Sequence, residues 1–183
     1  MRRQPRLAQH RIHLFNELQG PQGQTLAAAP KSHNLTLSPS GRLVTAGHIQ
    51  TLVPGEVFVF GSNRHGKHGS VAAGAALARF GAVYGQGRGL QGRSYAIITM
   101  TWPAFLAREV DEFCRYAARH PEITFLVAEI GCNKAGYTPA QVAPLFAGAP
   151  ANVALPVSFA AVLDNSMAAE ATEEPDVPGP PRL

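Results

Sequence analysis

The run Val57-Phe58-Val59-Phe60-Gly61-Ser62-Asn63-Arg64-His65-Gly66-Lys67-His68-Gly69-Ser70, continued by an alanine-rich stretch over residues 71–80, decides the fold class. Four β-branched and aromatic residues stopped by a glycine read as a short strand. A polar, glycine-bearing loop follows, and then a helix in which Ala72, Ala73 and Ala76 present small side chains at helical spacing. Such a helix can lie close to a sheet, with Leu77 and Phe80 as its anchors. Strand, loop and helix in this order predict an α/β unit.

Outward from this unit the alternation continues. Ser94 to Thr99 reads as the next buried strand, and Pro103 suits the first turn of a helix running to about Arg119. On that helix Leu106, Val110, Phe113 and Ala117 share one face. Arg108, Glu109, Asp111, Glu112, Arg115 and Arg119 fall mostly on the other. His120-Pro121 ends it. Ile123 to Ile130 reads I-T-F-L-V-A-E-I, nearly continuous apolar, which predicts a central strand covered on both faces. Thr138-Pro139-Ala140-Gln141 matches a helix start, with Thr as N-cap, Pro at the first helical position and Gln closing a capping box. Asn152 to Leu155 reads as a last strand. The whole predicts an α/β sandwich with a mixed, largely parallel sheet between helices.

A chain of 183 residues that is 45% hydrophobic suffices for one core, not for two ordinary domains. The net charge of +4 is unevenly spread. Arg2, Arg3, Arg6, Arg11, Lys31 and Arg42 face a single acid, Glu17, ahead of the first strand. Asp164, Glu170, Glu173, Glu174 and Asp176 are opposed only by Arg182 at the other end. This predicts a basic, poorly ordered segment over 1–47, an α/β domain over 48–163, and an acidic, Pro-rich disordered segment over 164–183. Within the first segment Ile12 to Leu18 could form a brief helix. Its Arg-rich composition also fits a transit peptide or a nucleic-acid-binding arm, although it lacks interleaved aromatics. Cys114 and Cys132 are the only cysteines and do not suggest a disulfide framework. With no membrane-length apolar run and no secretory h-region, the expectation is a soluble cytoplasmic protein with no membrane partner.

Each strong strand leads into a polar glycine loop: Gly61 to Ser70 after the first, and Gly131-Cys132-Asn133-Lys134-Ala135-Gly136-Tyr137 after the central one. In open α/β sheets ligands collect at the carboxyl ends of strands. Glycines let the backbone approach a ligand, and a helix N-terminus offers free N–H groups and partial positive charge to a phosphate. Lys67, Arg64 and Lys134 add charge nearby. The plainer alternative is that these glycines only make turns and that Ser70 only caps a helix. Neither G-x-x-x-x-G-K-[ST] nor a helix-opening G-x-G-x-x-G occurs, which disfavours kinase-type and NAD-dehydrogenase chemistry. The cluster from Tyr84 to Tyr95, with glycines at 85, 87, 89 and 92, reads either as a ligand-facing loop offering Gln91 or Tyr95, or as a surface hairpin.

The motifs F-G-S-N-x-x-G-x-H-G-x-x-A-A-G-A-A, F-G-A-V-Y-G-x-G-x-G-L-Q-G-x-S-Y-A-I, I-G-C-N-x-A-G-Y and A-P-L-F, in this order over about residues 54–160, resemble a family of small phage- and prophage-associated proteins. That family is in turn similar to the macro domains, which bind ADP-ribose. The resemblance implies a macrodomain-like three-layer sandwich. It implies that Asn63 faces the distal ribose and that Gly66 to Gly69 form the first phosphate loop. The loop from Gly131 to Tyr137 becomes the second diphosphate loop, with Tyr137 near the distal ribose. Two features depart from the family. Lys67 and His68 interrupt the usual triple glycine, and no G-D-[IV]-T precedes the first strand, so the aspartate that reads adenine is missing.

The expected ligand set is therefore Gly61, Ser62, Asn63, Gly66, Lys67, Gly69, Ser70, Gln91, Gly131, Cys132, Asn133, Gly136 and Tyr137, around a phosphate-bearing, ADP-ribose-like nucleotide and no resident cofactor. His65 and His68 form an H-x-x-H pair without a third ligand, so no metal site is expected. Cys132 is a nucleophile only if its pKa is lowered, and otherwise a small buried hydrophobe. The alternative activity implied by the resemblance is ADP-ribosyl hydrolysis, with Asn63 orienting the distal ribose and His68 as general base.

Overall fold

The structure, a computed structural model, describes residues 34–45 and 47–172. A seven-stranded sheet takes the order β1-β2-β7-β6-β3-β5-β4. Its strands are β1 (Leu35–Leu37), β2 (Leu43–Thr45), β3 (Glu56–Ser62), β4 (Gly89–Gln91), β5 (Ser94–Ile98), β6 (Thr124–Val127) and β7 (Val153–Pro156). β2, β7, β6, β3 and β5 run parallel, while β1 and β4 are antiparallel edges. The helices are α1 (Val71–Arg79), α2 (Pro103–Ala118), α3 (Pro139–Val142), continued by a 3-10 turn (Ala143–Phe146), and α4 (Val157–Thr172).

Alternation along the strands splits the core into two layers. On one side Val57, Val59, Phe125, Val127, Val153 and Leu155 meet Phe113 and Val110 of α2, Phe146 of the 3-10 turn and Phe159 of α4. On the other, Phe58, Phe60, Leu126 and Ala154 meet Ala73 and Ala76 of α1. Burying each large apolar side chain stabilises the fold by about 1.5–3 kcal/mol. The small alanines let α1 pack directly on the sheet. Phe80, 5.1 Å from Phe58, anchors it as expected, whereas Leu77 is only half-buried. The capping box at Thr138 and Gln141 is present, although the α-helix it opens lasts only four residues before tightening into the 3-10 turn.

Three expectations are corrected. Poor order up to residue 47 fails at its C-terminal end, because Leu35 and Leu43 pack beside the α1 layer and β1 pairs with β2. The expected helix over Ile12 to Leu18 lies outside the described residues. The domain does not stop at 163, because α4 runs to Thr172; the Ser40 hydroxyl donates to Asp164 Oδ1 at 2.6 Å and ties α4 to the β1–β2 turn. Glu109, assigned to the polar face of α2, is 3% exposed. It accepts a two-pronged ion pair from Arg88 in the glycine cluster, whose guanidinium pKa rises mainly through that hydrogen bond.

Candidate functional site

Parallel pairing of β2, β7, β6, β3 and β5 puts all five carboxyl ends on one edge of the sheet, and a cleft of about 670 Å³ opens there. The volume lies within the range of small-molecule sites. The loop after β3 and the loop after β6, which leave adjacent strands, converge on it. Gly61, Ser62, Asn63, Lys67, His68, Gly69 and Ser70 come from the first, and Gly131, Asn133 and Lys134 from the second. The Lys134 ammonium crosses between the loops and donates to the Gly69 carbonyl.

The main chain of these loops is unusually open. The N–H groups of Gly69, Ser70 and Val71 at the start of α1, and those of Asn133, Lys134 and Ala135, donate no hydrogen bond among the described residues. All six residues line the cleft. Ser70 caps α1 with its side chain, Oγ accepting from Ala73 N at 3.2 Å, so capping and an open N-terminus coexist.

A second lobe of about 350 Å³ shares His48, Val71, Ala72, Ala128, Glu129 and Asn133 with the first. It continues along β2 and β7 between Ile49, Phe58, Ala75, Pro156 and Val157. Thr45, His48, Asn133 and Ser158 interrupt its apolar walls, and its one acid is Glu129, shared with the first lobe, whose carboxylate accepts from the Ser158 hydroxyl. The groove thus has one end flanked by open N–H donors and lysines and a second end along β2 and β7, with Glu129 where the two meet. Sequence reasoning did not find His48, Thr99 or Glu129 as lining residues. They sit at strand ends and in a loop outside the two glycine loops, where no motif marks them.

Several expected residues lie elsewhere. Gln91 is 3% exposed and serves the backbone, its Oε1 accepting from Val83 N at 2.7 Å and its Nε2 donating to Gln86 O at 2.8 Å. The cluster around it is a hairpin, β4 pairing with β5, and Tyr95 is buried against Phe113, Tyr116 and Phe125. Gly66, at φ +61°, packs against the hairpin backbone rather than the cleft. Gly136 makes a turn at φ +79°, and Tyr137 donates its hydroxyl to Thr101 O; neither lines the cleft. Cys132 also stays out of it, and burial together with the Glu129 charge pushes its thiol up to about 11, the reverse of an activated nucleophile. Both cysteines are free.

Asn63 and His68, the expected catalytic pair, line the cleft but are engaged with the protein. Asn63 Oδ1 accepts from His65 N at 2.9 Å and Lys67 N at 3.4 Å, folding its own loop. His68, 4% exposed, meets Ser62 Oγ through Nδ1 at 3.0 Å and Val83 O through Nε2 at 2.9 Å. Both ring nitrogens are thus taken, and Nδ1 can meet a cleft water only when Ser62 gives up its hydrogen bond. Its ring points inward while His65 is exposed, and no group of three or more potential ligands for a metal ion occurs among the described residues. No helix among them is long and apolar enough to cross a membrane. No family model, curated protein or solved structure matches the chain.

Proposed function

We propose that the chain is a macrodomain-like protein that binds a phosphate-bearing nucleotide, ADP-ribose or a related NAD-derived metabolite, in the groove at the carboxyl edge of its sheet. The observation that carries this reading is a cleft lined by six residues, three from each glycine loop, whose main-chain N–H groups donate no hydrogen bond among the described residues. Amides in that arrangement, with a helix N-terminus among them, favour an anion without committing any side chain. Lys67 and Lys134 add positive charge at the rim. The second lobe suits the other end of a nucleotide. Its apolar walls can cover a flat ring, and Glu129 can accept from an amino group, a role for which the sequence offers no G-D-[IV]-T aspartate.

A thermal-shift panel of ADP-ribose, NAD, a cyclic relative, ADP and an oligonucleotide tests the proposal. A ligand at about 100 times its dissociation constant stabilises the fold by roughly 2.7 kcal/mol. Stabilisation by one or more of the nucleotides and none by the oligonucleotide is expected. Stabilisation by the oligonucleotide alone, or by nothing in the panel, overturns it.

A further inference from the structure

We infer that Ser62 and His68 form a nucleophile and base pair on the floor of the cleft, able to cleave a carboxylic ester through an acyl-serine. The inference uses the cleft but not the identity of what binds there.

Ser62 ends β3, is 5% exposed and lines the cleft, as does His68. The direction of their hydrogen bond follows from the other side of the ring. Val83 O can only accept, so Nε2 carries the proton, and the Nδ1 lone pair is left facing the Ser62 hydroxyl at 3.0 Å. Nδ1 is then the nearer of the two acceptors facing the Ser62 hydroxyl, Asn63 O standing at 3.3 Å. A hydroxyl, a base within hydrogen-bond reach and a third group that fixes the base's tautomer are the parts an activated serine requires. A main-chain carbonyl fills the third place here.

The backbone points the same way. His68 sits at φ +45° between Gly66 and Gly69, in a conformation where a glycine would be unstrained. A side chain is kept there nonetheless, held by two hydrogen bonds and by edge-on contact with Phe60 at 5.0 Å. Gly69, Ser70 and Val71, whose main-chain N–H groups donate no hydrogen bond among the described residues, line the same cleft and are donors of the kind a developing oxyanion needs.

In the reaction Ser62 Oγ bonds to the ester carbon as its proton passes to His68 Nδ1. The tetrahedral species then expels the alkoxide, which takes that proton and leaves as the alcohol. Water attacks the acyl-serine, His68 accepts its proton, and collapse releases the acid and restores Ser62.

A fluorophosphonate probe tests the pair on the full chain: Ser62 Oγ bonds to phosphorus, fluoride leaves, and His68 takes the proton. One adduct per chain, mapped to Ser62, is expected. It should be absent from Ser62→Ala and formed at least 100-fold more slowly in His68→Asn, since Asn tolerates positive φ but supplies no base. No adduct on the wild type, an adduct elsewhere, or an equal rate in a folded His68→Asn overturns the inference. Should His68→Asn unfold, the wild-type labelling rate is read against pH, and a rate that does not rise with titration of a single group overturns it. Nucleotide stabilisation read on the unlabelled wild type separates the two proposals: stabilisation without an adduct on Ser62 overturns this inference alone, and an adduct on Ser62 without stabilisation overturns nucleotide binding alone.

Discussion

The Gly66 backbone lies against that of Gln86 so closely that no side chain fits between them: a Cβ on Gly66 would sit 2.5 Å from the Gly85 carbonyl carbon and closer still to the Gln86 amide. Gly85 N also donates to Gly66 O at 3.0 Å. The loop after β3 is thus moulded against the Gly85-Gln86 turn that leads into β4. Gly66→Ala combines a main-chain clash with positive φ, and should cost at least about 2–3 kcal/mol. Gly69→Ala has room, its nearest neighbour being Lys134 Nζ at 3.5 Å, and should unfold within about 0.5 kcal/mol of the wild type. Chemical denaturation of the two variants checks the contrast.

The sequence made the central strands legible because Val57 to Phe60 and Phe125 to Val127 are buried and carry their own apolar signal, although the strand expected over Ile123 to Ile130 spans only Thr124–Val127 and Glu129 is exposed. It made the α3 start legible because Thr138, Pro139 and Gln141 act locally. Leu35–Leu37 and Leu43–Thr45 were not legible, since three residues hold too little periodicity and their pairing depends on β7 being in place. Two candidate site residues, Gln91 and Gly66, were read as ligand contacts because glycine spacing reports where the backbone makes a special approach. It does not report whether the partner is a ligand or, as here, another loop. The convergence of the two loops followed from strand order alone, whereas the second lobe needed β2 and β7 side by side.

Arg88 and Glu109 give a second test. The Glu109 carboxylate is 2% exposed and Arg88 46% exposed, so the arginine keeps partial access to water and the acid does not. Arg88→Met leaves a buried charge unpaired and should cost about 2 kcal/mol, below the 3–5 kcal/mol of a fully buried pair. Adding Glu109→Leu to Arg88→Met should restore part of that loss, because the stranded carboxylate is gone. A double-mutant cycle in urea reads both numbers; a double variant less stable than Arg88→Met would contradict the account.

Thiol chemistry follows from burial. Burial first, and then Asp111 for Cys114 or Glu129 for Cys132, raise both thiols from 9.0 to about 11. At pH 8 the thiolate fraction in the folded chain is then about 10⁻³, against roughly a tenth for a thiol at 9.0. Alkylation at pH 8 should be on the order of 100-fold slower in the native protein than in urea. Because the folded values lie above the unfolded ones, the stability these thiols contribute is intact below pH 9 and declines as pH rises toward 11. Mass-spectrometric alkylation rates across that range check the shift.

The last prediction separates main-chain from side-chain recognition of the phosphate. Lys134 is exposed and already bonded to Gly69 O, so its attraction for an anion is screened, and Lys134→Met should weaken nucleotide binding only about two- to fivefold. That loss should shrink as salt is added. Val71 supplies one of the open N–H groups and stands at the first position of α1, where proline is tolerated, and Ser70, at φ −90° and ψ 164°, already has the extended backbone that precedes a proline. Val71→Pro should therefore keep the melting temperature of the wild type while deleting a donor to a charged group, a loss of about 1.5 kcal/mol or more and hence tenfold or more in affinity. Little of that loss should vary with salt, because a hydrogen bond at contact distance is not screened as a rim charge is. Titration calorimetry with ADP-ribose at two salt concentrations reads both variants, and the amides hold the phosphate only if Val71→Pro is the more damaging of the two.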